Sequence, residues 1–510
     1  MRNYALSPLV VAATTLVFCG KPAHAAEPPQ GPTSSKPSYV QPTATGWTST
    51  ALITVGDGAE QDGHRMVGLP DGLGAIGGAW SAEQRKYLRP DLYMTVFMNH
   101  ELRSDLGVPR AHGQKGAFVT QWTIELGSLR VLRGEDLIRR VMTWNHATNN
   151  YQETTGSTIF DRFCSGDLPK SSAFNNPASG RGTPLRLYLN AEEADANGRV
   201  FAHVVSGAQK GTSYELPYLG KAKWENALAN PSAGTQTVVA MLEDHSPGQL
   251  YLYVGNKQST GTAIQRAGLQ GGKLYAVKVV DGGPNYGGGA VRIENAGAIN
   301  GRFVLVDVSA YALASSDVLD ARSDEAAATE FARPEDGQWD PTNSRVFYFN
   351  VTGSVSESAR LYRLRFDGTT WPAGGTIELV LDSATLVGTE GQSARHFDNL
   401  TVSSNGVVMV QEDGGADTYL SKTWKVKPSN PSAAVQVARA SPTFFSTSSP
   451  GYLTSSEELS GIIDVTTVVK PAPWFQTGRR YYLATIMDHS SEPDPELVQG
   501  GQLYLLSGPP

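Results

Sequence analysis

The stretch Thr237-Val-Val-Ala-Met-Leu-Glu-Asp-His-Ser-Pro-Gly-Gln-Leu-Tyr-Leu-Tyr-Val254 decides the fold. An apolar run, Thr237 to Leu242, ends in the acidic tip Glu243-Asp244-His245, and a second apolar run, Gln249 to Val254, returns. The theme recurs. Further tips are Asn99-His100-Glu101, Asn190-Ala191-Glu192-Glu193, Arg333-Pro334-Glu335-Asp336, Gln411-Glu412-Asp413 and Met487-Asp488-His489, with return strands such as Ala359 to Leu364 and Gly501 to Leu506. The first acids fall at 101, 192, 243, 335, 412 and 488, so successive tips lie 51 to 92 residues apart. That is longer than the ~40–50 residues of a minimal propeller blade. The repeat predicts an all-β chain: a single β-propeller of six or seven blades with long inter-blade loops, since radial repetition leaves only short sheet edges. A two-sheet sandwich is the alternative.

The rest of the chain fits an all-β reading. Short runs rich in Val, Leu, Tyr and Phe, among them Leu92 to Met98, Phe118 to Leu126, Lys273 to Val280, Phe303 to Val308 and Arg345 to Asn350, are bounded by turn residues. Gly 54 and Pro 30 make up about a sixth of the 510 residues, which suits many tight turns. Gly72-Leu-Gly-Ala-Ile-Gly77 matches G-x-G-x-x-G but lacks a βαβ setting, so it reads as a turn. Asp317 to Phe331 is the best helix candidate. The formal net charge is −7 with no basic block, which sets nucleic acid aside as a partner. At the N-terminus, Arg2, the apolar Leu6 to Phe18 and Ala23-His24-Ala25 form a secretory pattern over residues 1–25. A Pro/Ser/Thr-rich leader over 26–50 and one propeller domain over 51–510 follow, with a periplasmic or secreted location and no membrane span. Cleavage would remove Cys19 and leave Cys164 as the only thiol: a buried inert side chain or a metal ligand.

Turns at equivalent blade positions converge on one end of a propeller channel, so six acidic tips there would crowd carboxylates together. Like charges share such a space only with cations present, which predicts bound metal. Carboxylates favour Ca²⁺, Mg²⁺ or Mn²⁺, and added His or Cys shifts preference to transition metals. There is no H-E-x-x-H, G-x-S-x-G or P-loop.

Pro70-Asp-Gly72, Asn99-His-Glu101, Phe163-Cys-Ser-Gly166, Asn190-Ala-Glu-Glu193, Arg333-Pro-Glu-Asp336, Phe397-Asp-Asn-Leu400 and Gln411-Glu-Asp413 together carry a resemblance over about residues 65–505. The chain resembles the PhoX-type alkaline phosphatases, exported β-propeller metalloenzymes, and a related branch of metal-dependent phosphotriesterases acting on haloalkyl organophosphates. The resemblance implies Cys164, Glu192 and Glu335 as ligands to iron and calcium and Arg333 as the partner of the phosphate. Asn99 and Glu101 match a family motif and are expected at the channel mouth. The wider candidate ligand set is Glu101, Cys164, Glu192, Glu193, Glu243, His245, Glu335, His396, Asp398 and Glu412, holding two or more ions of Mn, Fe, Zn or Ca. His396 and His245 depart from the family pattern and make a His-bearing binuclear site an expectation. The implied activity is hydrolysis of a small phosphate ester by metal-activated water, with Arg333 and Asn99 as catalytic groups. A calcium-stabilised binding propeller and a propeller lactonase are the alternatives.

Overall fold

In a computed structural model, the described residues are 1, 31–283, 292–354, 357–415 and 419–510. The expected secretory segment lies outside them apart from Met1. Among the described residues, six blades are arranged around a channel. Their innermost strands are Pro70–Gly77, Phe163–Asp167, Trp224–Ala229, Pro334–Trp339, Phe397–Val402 and Glu457–Asp464, here blades one to six in chain order. Each innermost strand packs beside the next, and the sixth beside the first, so the ring closes and the fold is a β-propeller. Blades three and four also join at their outer edges, where Gly301–Asp307 pairs with Gly375–Asp382.

Closure uses the N-terminal segment. Thr48–Thr54 pairs with Gln499–Gly508 in blade six, and Val40–Pro42 pairs with Val435–Ala440 in blade five. Composition reads residues 31–50 as part of a solvated leader. Instead Tyr39, Val40 and Trp47 are buried, and Trp47 stacks on Tyr482. Pairing with strands more than 390 residues away overrides the local Pro/Ser/Thr signal.

Most of the apolar runs become the second and third strands of the blades, and Lys273–Val279 and Gly301–Asp307 extend blade three outward. Gly248–Asn256 is buried at eight successive residues because blades pack on both of its faces, which explains continuous hydrophobicity in place of alternation. Trp122, Trp224 and Trp424 are fully buried between sheets, and each large apolar side chain contributes roughly 1.5–3 kcal/mol by leaving water. Gly72 to Gly77 lies in the innermost strand of blade one, not in a turn. Small residues are needed there: a Cβ on Gly72 would stand 2.4 Å from Gly166 N in the neighbouring blade. The helix spans Ser316–Glu325 and stops earlier than the sequence suggests. Ala327 turns left-handed at φ +59, and Glu330–Phe331 pairs with Gly248–Gln249 as a strand.

Candidate metal centre in the channel

Every blade offers the second residue of its innermost strand to this centre: Asp71, Cys164, Glu225, Glu335, Asp398 and Glu458. A β-bulge sits at this point in each blade. The register slips by one residue between Pro70 and Leu73, Phe163 and Gly166, Trp224 and Asn226, Pro334 and Gly337, Phe397 and Leu400, and Leu459 and Ile462. A bulge bends its strand and re-aims the extra residue. Here it turns five of the six polar side chains out of the pleat toward the axis, and in blade six it lies between Leu459 and Ile462, after Glu458.

A second tier comes from the residue after the second strand of a blade: Glu101 in blade one, Glu193 in two, Asp244 in three and Asp413 in five. Three cations complete the wall. Arg162, Lys223 and Arg333 each stand two residues before the inner-strand donor of blades two, three and four. Arg333 holds a left-handed φ of +62, unusual for a non-glycine and stiffened by Pro334. These thirteen side chains enclose a cavity of about 290 Å³. Within it the ligand atoms of Asp71, Glu101 and Cys164 lie within 4.8 Å of one another, and so do those of Glu225, Glu335 and Asp398.

Charge divides the cavity into two arcs. Along blades two to four, acids and bases alternate. Arg162 Nη1 meets Glu193 at 3.0 Å, Lys223 Nζ meets Glu193 at 2.8 Å and Asp244 at 3.6 Å, and Arg333 meets Asp244 through Nε and Glu335 through Nη2, both at 2.7 Å. Along blades five, six and one, the lining is acidic throughout: Asp398, Asp413, Glu458, Asp71 and Glu101. Nine carboxylates in all face three cationic side chains.

The protonation equilibria report that imbalance. Burial first, and the carboxylate neighbours next, push Asp71, Glu101, Glu335 and Asp398 well above the usual carboxyl range. Burial raises Glu225 to about 8 and Asp413 to about 7. Asp244 behaves oppositely: burial opposes its ionisation, yet Arg333 and Lys223 outweigh burial and hold it below its ordinary value. The Cys164 thiol is pushed up by burial and by Glu101, and it donates to Glu193 Oε2 at 3.2 Å. Buried carboxyls and a thiol that cannot all ionise alone are what a set of cations would complete, so the donor chemistry fits metal.

Of the residues expected from sequence, Glu101, Cys164, Glu193, Arg333, Glu335 and Asp398 meet in this cavity, and Glu193, not Glu192, faces it. Five candidate ligands lie elsewhere. Glu192 is clamped by Arg199 through two hydrogen bonds of 2.7 and 2.6 Å. Glu412 points into blade five, accepting from Trp424 Nε1 at 2.7 Å, and Glu243 accepts from Gln249 N at 3.1 Å. Successive side chains on a strand face opposite sides, so a one-residue difference sends Glu193, Asp244 and Asp413 to the channel and their predecessors into the sheet. His245 is exposed, with Nδ1 2.7 Å from Pro247 O, and His396 Nδ1 lies 3.1 Å from Asp413 O behind the lining. Asn99 is fully buried behind the wall, donating to Cys164 O at 2.8 Å and Ser165 O at 3.1 Å, so it is no channel-mouth catalyst. Sequence reasoning missed Asp71, Glu225, Glu458, Arg162 and Lys223, and passed over Asp244 and Asp413 for the acids beside them. Pro70-Asp71 stood inside a quoted motif, whereas Trp224-Glu225 and Glu457-Glu458 carry no local signal.

The family model described as Alkaline phosphatase PhoX matches residues 172–443. Among solved structures, Pseudomonas fluorescens PhoX in complex with vanadate, a transition state analogue, overlaps 94% of this chain and 98% of its own, at 12% identity and a TM-score of 0.60. At that identity the overlap speaks for the fold. A PQQ-bound aldose sugar dehydrogenase from Streptomyces coelicolor covers 91% of this chain and 100% of its own at 11% identity, but its TM-score of 0.34 carries no argument. No curated protein matches significantly.

Proposed function

The chain belongs to the PhoX alkaline phosphatase family, metal-dependent phosphoric ester hydrolases, and from that premise we propose that it acts on phosphate monoesters in the channel cavity. The observation that carries this reading is the division of the cavity into a base-bearing arc and an acidic arc. Asp71, Glu101 and Cys164 would hold one ion and Glu225, Glu335 and Asp398 another; the thiol favours a transition metal and the carboxylates a harder cation. Bound ions supply Lewis acidity toward a phosphoryl oxygen and lower the pKa of water.

The protein's own contribution is orientation and charge. The Arg333 guanidinium is planar and permanently charged, on a side chain 34% exposed; Asp244 and Glu335 hold its Nε and Nη2, so its contact with a phosphoryl oxygen would be through Nη1. Lys223 and Arg162 extend the same arc, and their ion pairs with Glu193 and Asp244 hold both heads in place before substrate arrives. Three positive groups on one side suit a dianionic monoester; a neutral triester gains little from them. The vanadate complex of the Pseudomonas fluorescens protein supports a phosphoryl site in this fold. We also infer export, from the secretory pattern of residues 1–25.

The test compares p-nitrophenyl phosphate with a neutral aryl phosphotriester on metal-replete protein. The reading expects the higher kcat/KM for the monoester. Faster turnover of the triester would contradict it and place the chain with phosphotriesterases.

A further inference from the structure

One residue of the second strand stands opposite the bulge in most blades, between the two flanking register pairs: Asn99 in blade one, Ala191 in two, Asn350 in four, Gln411 in five and Thr485 in six. Three of these do the same thing. Asn99 Nδ2 donates to Cys164 O at 2.8 Å, Asn350 Nδ2 to Asp398 O at 2.6 Å, and Thr485 Oγ1 shares its proton between Asp71 O and Gly461 O, each at 3.3 Å. In each case an acceptor is the main-chain carbonyl of the cavity donor on the next blade round the ring. All three side chains are fully buried.

We propose that Asn99, Asn350 and Thr485 are positioning residues that clasp the bulged peptides of Cys164, Asp398 and Asp71 and so aim those side chains at the bound ions. The inference rests on the metal reading of the cavity. A bulged residue has lost its ladder partner, so its carbonyl would otherwise be unpaired and its orientation loosely set. A hydrogen bond from a rigid neighbouring blade fixes the peptide plane and with it the direction of Cα–Cβ. Both metal triads depend on clasped residues: Asp71 and Cys164 in one, Asp398 in the other. At the Asp398 junction Thr352 Oγ1 also donates to Phe397 O at 2.5 Å, and at Asp71 the amide of Gly461 donates to Oδ1 at 3.0 Å. Gln411 occupies the corresponding place in blade five but donates to Tyr504 OH at 3.0 Å, which makes it a matched control.

The experiment titrates Mn²⁺ alone, and Ca²⁺ alone, into chelator-treated protein by calorimetry, with thermal unfolding of the metal-free form alongside. The variants are Asn350→Leu, Thr485→Val, Thr485→Ser and Gln411→Leu. Loss of a partner that orients a ligand weakens metal binding by about 10–100-fold. Asn350→Leu and Thr485→Val are expected to show that loss, Thr485→Ser to keep wild-type affinity through its hydroxyl, and Gln411→Leu to lower the metal-free Tm without weakening binding. Wild-type affinity in both Asn350→Leu and Thr485→Val, or an equal loss in Gln411→Leu, would overturn the proposal. A wild-type protein that binds neither ion would instead overturn the metal reading beneath it.

Discussion

Arg333 illustrates how much a single position carries. Its neighbours Asp244 and Glu335 raise its already high pKa, so its charge is permanent, and its left-handed backbone holds the guanidinium against the cavity. Replacing it by Ala should lower kcat/KM toward p-nitrophenyl phosphate by about 10²–10³, the loss typical of a charge-stabilising donor, with metal content retained. Arg333→Lys should fall between, because an ammonium lacks the two-pronged geometry. Near-wild-type turnover by a folded Arg333→Ala protein would remove the residue from the phosphate site. Lys223→Met should cost the monoester about 10–100-fold and leave the triester nearly unchanged, as expected for a lost charge-assisted hydrogen bond; parallel kinetics on the two esters measures it. At this scale the sequence located the acidic tips but missed their register. Glu192 and Glu193, or Glu412 and Asp413, are chemically equivalent as text, and only strand pairing decides which one leaves the sheet.

The elements that bear the chemistry were the least legible. A run such as Leu250 to Val254 is continuous and apolar, Arg360 to Phe366 interleaves Arg with Leu, Tyr and Phe, and both fold into the third strands of their blades. The innermost strands break every such rule: Pro70-Asp-Gly, Phe163-Cys-Ser-Gly and Phe397-Asp-Asn each insert polar residues where the bulge forms. Functional sites are where local sequence rules fail, because bulge and buried acid are both locally unfavourable. The seam between blades one and two gives a direct check. A Cβ on Gly72 would meet Gly166 N at 2.4 Å, Ser165 C at 2.5 Å and Cys164 O at 2.6 Å, all backbone. Gly72→Ala should therefore destabilise by about 1–3 kcal/mol through overpacking and displace Cys164. Urea denaturation and metal content measured together would test this, and unchanged values in both would refute the close approach.

Across the whole molecule, ring closure brings together acids from every blade and sets a dependence on pH and metal. A carboxyl whose folded pKa is raised above its unfolded value stays protonated in the native state while the unfolded chain ionises. Stability is therefore lost as pH rises from the unfolded pKa toward the folded one. With Glu225 near 8 and Asp413 near 7, both raised mainly by burial, these two carboxyls should cost metal-free protein stability as pH rises from about 4, where the unfolded carboxyls ionise, to about 8. Buried His100 and His203, both lowered to about 3 by desolvation, oppose that loss below about pH 6.5, where the unfolded imidazoles bind protons that the native ones do not, so the net loss falls between about pH 6.5 and 8. Metal should abolish the slope, since cations stabilise the ionised carboxylates; Tm against pH with and without Mn²⁺ tests both halves. The recurrence of apolar strand, acidic tip and return strand was readable in the sequence as a loose repeat, whereas closure by Thr48–Thr54 was not, because its partner lies at the opposite end of the chain. The most direct measurement of the central claim is metal content by mass spectrometry on purified protein, with p-nitrophenyl phosphate turnover before chelation, after it, and after metal is restored. The account predicts two or more bound ions, at least one a transition metal, and activity that disappears and returns with them. Turnover that persists in fully metal-free protein would contradict it.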